Sequence, residues 1–566
     1  MKKIKRVIGL TCALTSLFST VAMAGCKKTS VEGEQVLEVM VWEAGYGVEF
    51  GEKLLEAFKE EAWVKEKYPN LVTKYDYDPD MGSLTTKLDA GERANTVDLF
   101  MGSGGSIAMY EGKDASGKEI CMDLTDVVYN TKVPEEDVTV LEKMDDSYVD
   151  SLWYYEKGQD SNTPDLPFKA YAFPWASGMD ALLYNADYLK AMNEEVPLTT
   201  NQFLEVCERV HSEKPFDYTK QTDGDFAIVT NSGGLYWHNL FPTWWGQYET
   251  IDGYYDFCNG VDSSGRISAA IHEQKGKLYS MQVLEKALKW ENGYLDHKFT
   301  GLDFMQAQTD FVKGKGVFFA NGDWFAKEME QITKDVKADY GLDYDIRLMK
   351  TPILSEIIEK TPTIPDEQTL RAVIRAIDAG YTYATMLQAT FEGYELVSQA
   401  EVSKEDYELI MEARGVIHSI GSAMRAVIPT YAQGKEVACD FLRFMATDKA
   451  QEIYLETTGG ASLPFDYDVK ERNPELYEKL LPIEKDRLDI VYDQVYTVRT
   501  MPDPNSFPLM KWGEMRPIYS MSGSAIVALF ASKGATTTAL DVYNDDIKYY
   551  IDGGNFNICR DRAGLN

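Results

Sequence analysis

Flat aromatic rings and planar carboxylates together suit a ligand that has an apolar ring face and a rim of hydroxyls. The π-surface covers C–H groups, and each carboxylate accepts two hydroxyl donors. Both side-chain types gather where glycine and proline break this chain. Trp42 precedes Glu43, Trp175 follows Pro174, and Trp237 follows Tyr236. Trp244 and Trp245 sit in the loop-like stretch Leu240 to Gly246, Trp324 follows Asn321-Gly322-Asp323, and Trp512 lies near the C-terminus. A lone tryptophan is as readily core as platform, so the greatest weight falls on Trp324. It ends a strand-like run, and Asp323 beside it can take a pair of hydroxyls. Glu43, and Ser103 between Gly102 and Gly104, add hydrogen bonds from loop ends, with glycines admitting backbone amides to a polar ligand. Trp290, inside a helical pattern, is assigned to the core, and Asp98 to a structural role near a strand start.

Other chemistries find little support. There is no Gly-x-Ser-x-Gly: the run Gly104-Gly105-Ser106-Ile107-Ala108 lacks the last glycine. The five histidines (His211, His238, His272, His297, His418) are far apart, and none forms a His-Glu-x-x-His zinc pair. Asp76-x-Asp78-x-Asp80 hints at a calcium loop. Its glycine comes late, at Gly82, and Lys87 stands where the bidentate glutamate belongs. No phosphate-cradling Gly-x-x-x-x-Gly-Lys occurs. With 91 acidic residues a carboxylate pair for glycoside hydrolysis is easy to find and therefore uninformative. No catalytic residue, metal or cofactor is expected.

The elements that would position these side chains alternate. Val36–Trp42 reads as a strand; Leu54, Leu55, Phe58 and Ala62 follow at helical spacing; Leu71 to Tyr77 alternates as a strand; Leu84–Leu88 suggests a helix; and Val97–Met101 is strand-like. That β-α-β-α-β order starts an open parallel α/β sheet, whose ligands lie beyond the carboxyl ends of the strands. A second unit begins near Tyr171–Met179, with later strands at Gly316–Ala320 and Tyr344–Leu348.

The N-terminus sets the compartment. Lys2, Lys3, Lys5 and Arg6 precede an apolar run, Val7–Ala22, too short for a typical membrane span, which marks residues 1–25 as a secretory signal. Met23-Ala24-Gly25-Cys26 resembles a lipobox, which makes Cys26 a lipidated N-terminus on a polar tether, 26–35. Ordinary cleavage after Ala24 is the alternative. A net charge of -34 over 566 residues repels nucleic acid and anionic headgroups. Of 7 cysteines, five (Cys121, Cys207, Cys258, Cys439, Cys559) remain in the body of the chain, odd in number and widely scattered. They read as buried free thiols rather than a disulfide framework.

Four stretches together resemble the extracellular solute-binding proteins of the carbohydrate class, the maltodextrin-binding-like receptors of ABC importers. They are the lipobox-like Met23 to Cys26, Thr96–Phe100, Gly316–Trp324 with its Asn-Gly-Asp-Trp end, and the helical run Ala438–Gln451 followed by Gly459 and Gly460. The resemblance implies a two-lobe periplasmic-binding-protein-like fold of type II, its lobes built from discontinuous segments and joined by a hinge with three crossings. Lobe 1 would hold 36–172 and 351–461, and lobe 2 would hold 173–350 and 462–566. It also implies a sugar-stacking aromatic at Trp324, an oligosaccharide ligand, ABC permease partners and a monomer. A helical insertion near 355–415 and an extended part after Glu471 depart from the family pattern. A membrane-anchored glycoside hydrolase and a carbohydrate-binding adhesin are the competing readings.

Overall fold

The computed structural model describes residues 35–564 apart from Ala44, 92–95, 104–109, 113–116, 156–165, 214–225, Leu235, 420–423, 493–494, 499–508 and 510–522. The signal segment, Cys26, nearly all of the tether, Gly104 and Trp512 lie outside the described residues. Among those described the strands are β1 (Gln35–Trp42), β2 (Leu71–Asp78), β3 (Leu99–Ser103), β4 (Phe173–Pro174), β5 (Met179–Asn185), β6 (Phe226–Val229), β7 (Gly316–Gly322), β8 (Ile346–Met349), β9 (Val416–Ser419), β10 (Met424–Val427) and β11 (Tyr496–Val498).

Two sheets divide these strands. The first has the order β2-β1-β3-β10-β4. β1 runs parallel to β2, from Gln35 opposite Leu71 to Trp42 opposite Asp78, and parallel to β3. β10 closes the sheet antiparallel to both β3 and β4. The sequence-predicted β-α-β-α-β start is present. Helix Glu49–Glu60 buries Phe50, Leu54, Leu55 and Phe58 against this sheet, and each such side chain contributes about 1.5–3 kcal/mol. The stripe stops sooner than its spacing suggests. Glu61 turns to an extended conformation (ψ 136°), and Ala62 opens a separate short helix with its side chain exposed.

Asp98 ties the sheet to a helix. Its carboxylate accepts from the backbone N–H of Glu38 (3.0 Å) and of Gly434 (2.7 Å), just before the helix Lys435–Met445. That is the structural role expected of it. Asp80, from the acidic triplet, caps the helix Met81–Ala90 through the Gly82 N–H.

In the second sheet β5 is central. It is antiparallel to β7 on one side and to β8 and β9 on the other, while β6 and β11 flank β7 and β9 in parallel. The helical run Trp237–Asn259, kinked at Thr250 (φ +71°), packs on it and buries Trp237, Phe241, Trp244, Trp245 and Tyr248. That spacing is helical, and it prevails over Pro242 and Gly246, the residues that make the stretch look like a loop. The proline costs one backbone hydrogen bond, which the burial of three indoles outweighs.

The segment after Met349 corrects the expected lobe boundaries. Residues 355–415 are helical, as expected, but their core joins Ile357, Leu370, Val373 and Ile410 to Leu198 and Ile353 of the second unit. Gly415 then leads directly into β9, which pairs with β5. Residues 351–419 thus belong with the second sheet, not the first. The chain returns to the first sheet only at β10, because the inserted helices precede that crossing. In the last part of the chain, β11 and the helix Pro482–Val491 pack on the second sheet. Among the described residues Cys121, Cys207, Cys258, Cys439 and Cys559 are buried and form no disulfide.

Candidate functional site

Among the described residues the chain passes between the sheets at 175–178 and after Thr458, and it also passes from β9 to β10. Arg487, on helix Pro482–Val491, fastens two of these passages. Its guanidinium donates to the carbonyls of Ser177 (3.1 Å) and Gly460 (3.3 Å), and to Asp323 Oδ2 at the end of β7 (3.1 Å). Ser177 and Ser462 form an antiparallel bridge beside it. Gly460 (φ +89°) is obligatory here, because a Cβ would stand 2.7 Å from Glu484 Cβ. From the other lobe, the buried Tyr46 hydroxyl donates to Asp323 Oδ1 (3.3 Å). The Asp323 carboxylate is fully enclosed. Burial pushes its pKa up to about 6, and the Arg487 charge holds it back from rising further. Asp323 is therefore a hinge pin with both oxygens engaged, and the expected contact to a ligand is corrected.

Trp324, the next residue, has the opposite fate. It is half-buried and packs on the first-lobe core although its strand belongs to the second. Tyr46 meets its ring edge-on from the first lobe (6.3 Å, 83°) and Tyr236 from the second (5.2 Å, 63°). The ring folds back over Gly322, where an added Cβ would lie 2.2 Å from it. Trp324 thus stands between the lobes, in contact with aromatic rings from both.

The other tryptophans separate from it. Trp175 is fully buried, stacked on Phe50 (5.6 Å, 16°), with its Nε1–H given to the carbonyl of Gly102 (3.1 Å). That contact also occupies Gly102. Trp244 donates to the carbonyl of Pro352 (3.0 Å) and Trp245 to Gln274 Oε1 (2.7 Å) inside the second core, which also encloses Trp237. All four indoles have 0% exposure. They fill cores, and their expected ligand role is corrected. Trp42 is half-buried on the first core, Glu43 is exposed beside it, and Ser103 is half-buried at the end of β3.

At the cleft edge of the second sheet, the start of β5 and the ends of β7 and β9 come side by side: Asp180 lies opposite Gly322 and opposite His418. His418 Nδ1 is 2.6 Å from Asp180 Oδ2, while Asp180 Oδ1 is buried without a partner. His238 Nδ1, in the first turn of the helix after Tyr236, and Thr230 Oγ1, just past β6, are likewise buried and unpartnered. Desolvation lowers the His238 pKa, so its ring is neutral near pH 7. A buried orphan costs about 1–3 kcal/mol, and each of these polar atoms has the chemistry to hydrogen-bond a hydroxyl group.

The sequence reading takes these histidines as isolated, whereas the β5–β9 pairing sets His418 beside Asp180, whose charge also acts on His238. Trp153 and Tyr155 also escaped it. They are half-buried with rings 5.9 Å apart. They follow Ser151, whose carbonyl accepts from Arg425 (2.8 Å) at the cleft end of β10. The adjacent aromatic run 153–155 was their signal.

A family model described as bacterial extracellular solute-binding protein matches residues 44–353, more than half of the chain. The chain belongs to that family. Members are binding proteins rather than enzymes, and the two-sheet α/β architecture is theirs. Among solved structures, one from work on xylan utilization by the thermophilic bacterium Caldanaerobius polysaccharolyticus is similar at 13% identity and TM-score 0.51, covering 91% of this chain and 100% of that one. The GacH receptor of Streptomyces glaucescens, solved unliganded and with acarbose, is similar at 13% identity and TM-score 0.50, covering 92% and 98%. At that identity the likeness concerns the fold. No curated protein matches this chain. Among the described residues no helix is long and apolar enough to cross a membrane.

Proposed function

We propose that this solute-binding protein is a lipid-anchored, extracytoplasmic receptor that closes over a carbohydrate and passes it to an ABC importer. The observation that carries the reading is Trp324, a half-buried indole between the lobes with Tyr46 on one side and Tyr236 on the other. Such a ring covers the C–H face of a sugar. The unpartnered Asp180 Oδ1, His238 Nδ1 and Thr230 Oγ1 supply the polar counterpart, and Ser103, Trp42 and Glu43 serve from the first lobe. A ligand for which similar folds are known, acarbose on GacH, has this combination of ring faces and hydroxyls.

Lobe 1 comprises 36–172 and about 424–465, and lobe 2 comprises 179–419 and the chain from about 469 onward. Ligand binding rotates one on the other about the Arg487 pin. Cys26 carries the lipid, residues 27–35 form the tether, and the body works as a monomer that presents its closed form to permease subunits.

The test is a melting-temperature screen of the purified mature protein against a panel of oligosaccharides, with sugar consumption followed in parallel. The reading expects at least one glycan to raise the melting temperature with no loss of sugar. A folded protein that no glycan stabilises contradicts it, and glycan hydrolysis would make the chain an enzyme.

A further inference from the structure

Far from the cleft, Lys277 and Asp546 meet inside the second lobe. Lys277 lies in the helix Lys275–Leu288 and Asp546 in the helix Ala539–Ile547 of the C-terminal extension. Lys277 Nζ is 2.7 Å from Asp546 Oδ2 and 2.7 Å from the carbonyl of His272, and the side chains of the pair are 0% and 1% exposed. Aromatic rings wall the site. Nζ is 5.7 Å from the centre of Phe257 and 5.2 Å from that of Tyr543. His272 stacks on Tyr550 at 4.0 Å and 10°, and its Nδ1 is 3.3 Å from Asp546 Oδ2.

An ion pair is poorly served by this surrounding. Taking two charges out of water is costly unless the remaining lone pairs and protons are satisfied. Here Asp546 Oδ1, His272 Nε2 and Tyr550 OH are all buried without partners. Burial also pushes the lysine pKa down, toward the neutral amine. Moving one proton from ammonium to carboxylate leaves an amine and a carboxylic acid in contact, in a dry aromatic box. Those are the two components of an amide.

We propose that Lys277 and Asp546 join in an intramolecular isopeptide bond. The Nζ lone pair attacks Asp546 Cγ and forms the N–C bond. His272 Nδ1, within reach of Oδ2, relays the proton released by nitrogen to that oxygen. The C–O bond then breaks and one water leaves, with no oxidant or other reagent required. The product replaces a buried ion pair with a neutral amide. It also fastens the C-terminal extension to the second lobe across 269 residues of sequence, in a chain whose described cysteines form no disulfide.

The test is tryptic peptide mapping by mass spectrometry on the purified mature protein, denatured before digestion. The expected result is a branched peptide containing residues 277 and 546, lighter than its two parts by one water, about 18 Da, with no cleavage at Lys277. Asp546→Asn should reach the same branched product by expelling ammonia. Recovery of Lys277 and Asp546 from the wild-type protein only in separate, unmodified linear peptides would overturn the proposal, and this reading needs no variant to fold.

Discussion

The two oxygens of Asp323 are taken by Tyr46 and Arg487, whereas the ring of Trp324, one residue on, is left partly open between the lobes. Substitutions at the two positions should therefore separate stability from affinity. Trp324→Ala is expected to weaken glycan binding by about 2 kcal/mol or more, roughly thirtyfold, with little change in melting temperature. Titration calorimetry on both proteins checks this. Arg487→Met strands a buried carboxylate and frees two hinge carbonyls, so it should cost about 3–5 kcal/mol in urea unfolding. Asp323 also predicts a pH dependence. Its folded pKa of about 6 exceeds the unfolded value of about 3.9, so its contribution to stability is full below pH 4 and is lost as pH rises through 6. Unfolding of wild type and Asp323→Asn measured from pH 4 to 7 should show wild type losing ground relative to the variant across that window. A parallel pair of curves would refute the shift. From sequence alone Asp323 and Trp324 look like one site. What separates them is Arg487, 164 residues away, whose pairing no local pattern announces.

Helix and strand identity were readable wherever one periodicity dominated: β1 to β3, the helix burying Leu54, Leu55 and Phe58, and the helical nature of 355–415. Reading failed where two signals compete. Around Trp244 and Trp245, proline and glycine argue for a loop while aromatic spacing argues for a helix, and burial in the second core decides. Trp245→Ala should accordingly cost about 3–5 kcal/mol of stability while the protein that remains folded keeps its glycan affinity. Chemical unfolding alongside calorimetry tests both parts, and a selective loss of affinity would return Trp245 to the site. The lobe assignment of β9 failed for a different reason. Val416–Ser419 is a short buried strand, and its contact with β5, His418 to Asp180, spans 238 residues of sequence, a pairing that composition does not encode.

On the scale of the whole molecule, the family and its two-lobe architecture were legible because several weak motifs recur in order along the chain. The chemistry between the lobes is only partly legible: Trp324 stands out at the end of its strand, but the pairing of Asp180 with His418 is assembled by strands from distant segments. In the proposed function the two halves, pinned by Arg487, shut over a carbohydrate resting on Trp324. Small-angle X-ray scattering of the purified mature protein, alone and saturated with each glycan of the panel, tests this closure most directly. The glycan that stabilises the protein should also lower its radius of gyration; an unchanged radius with every glycan, that one included, would rule closure out.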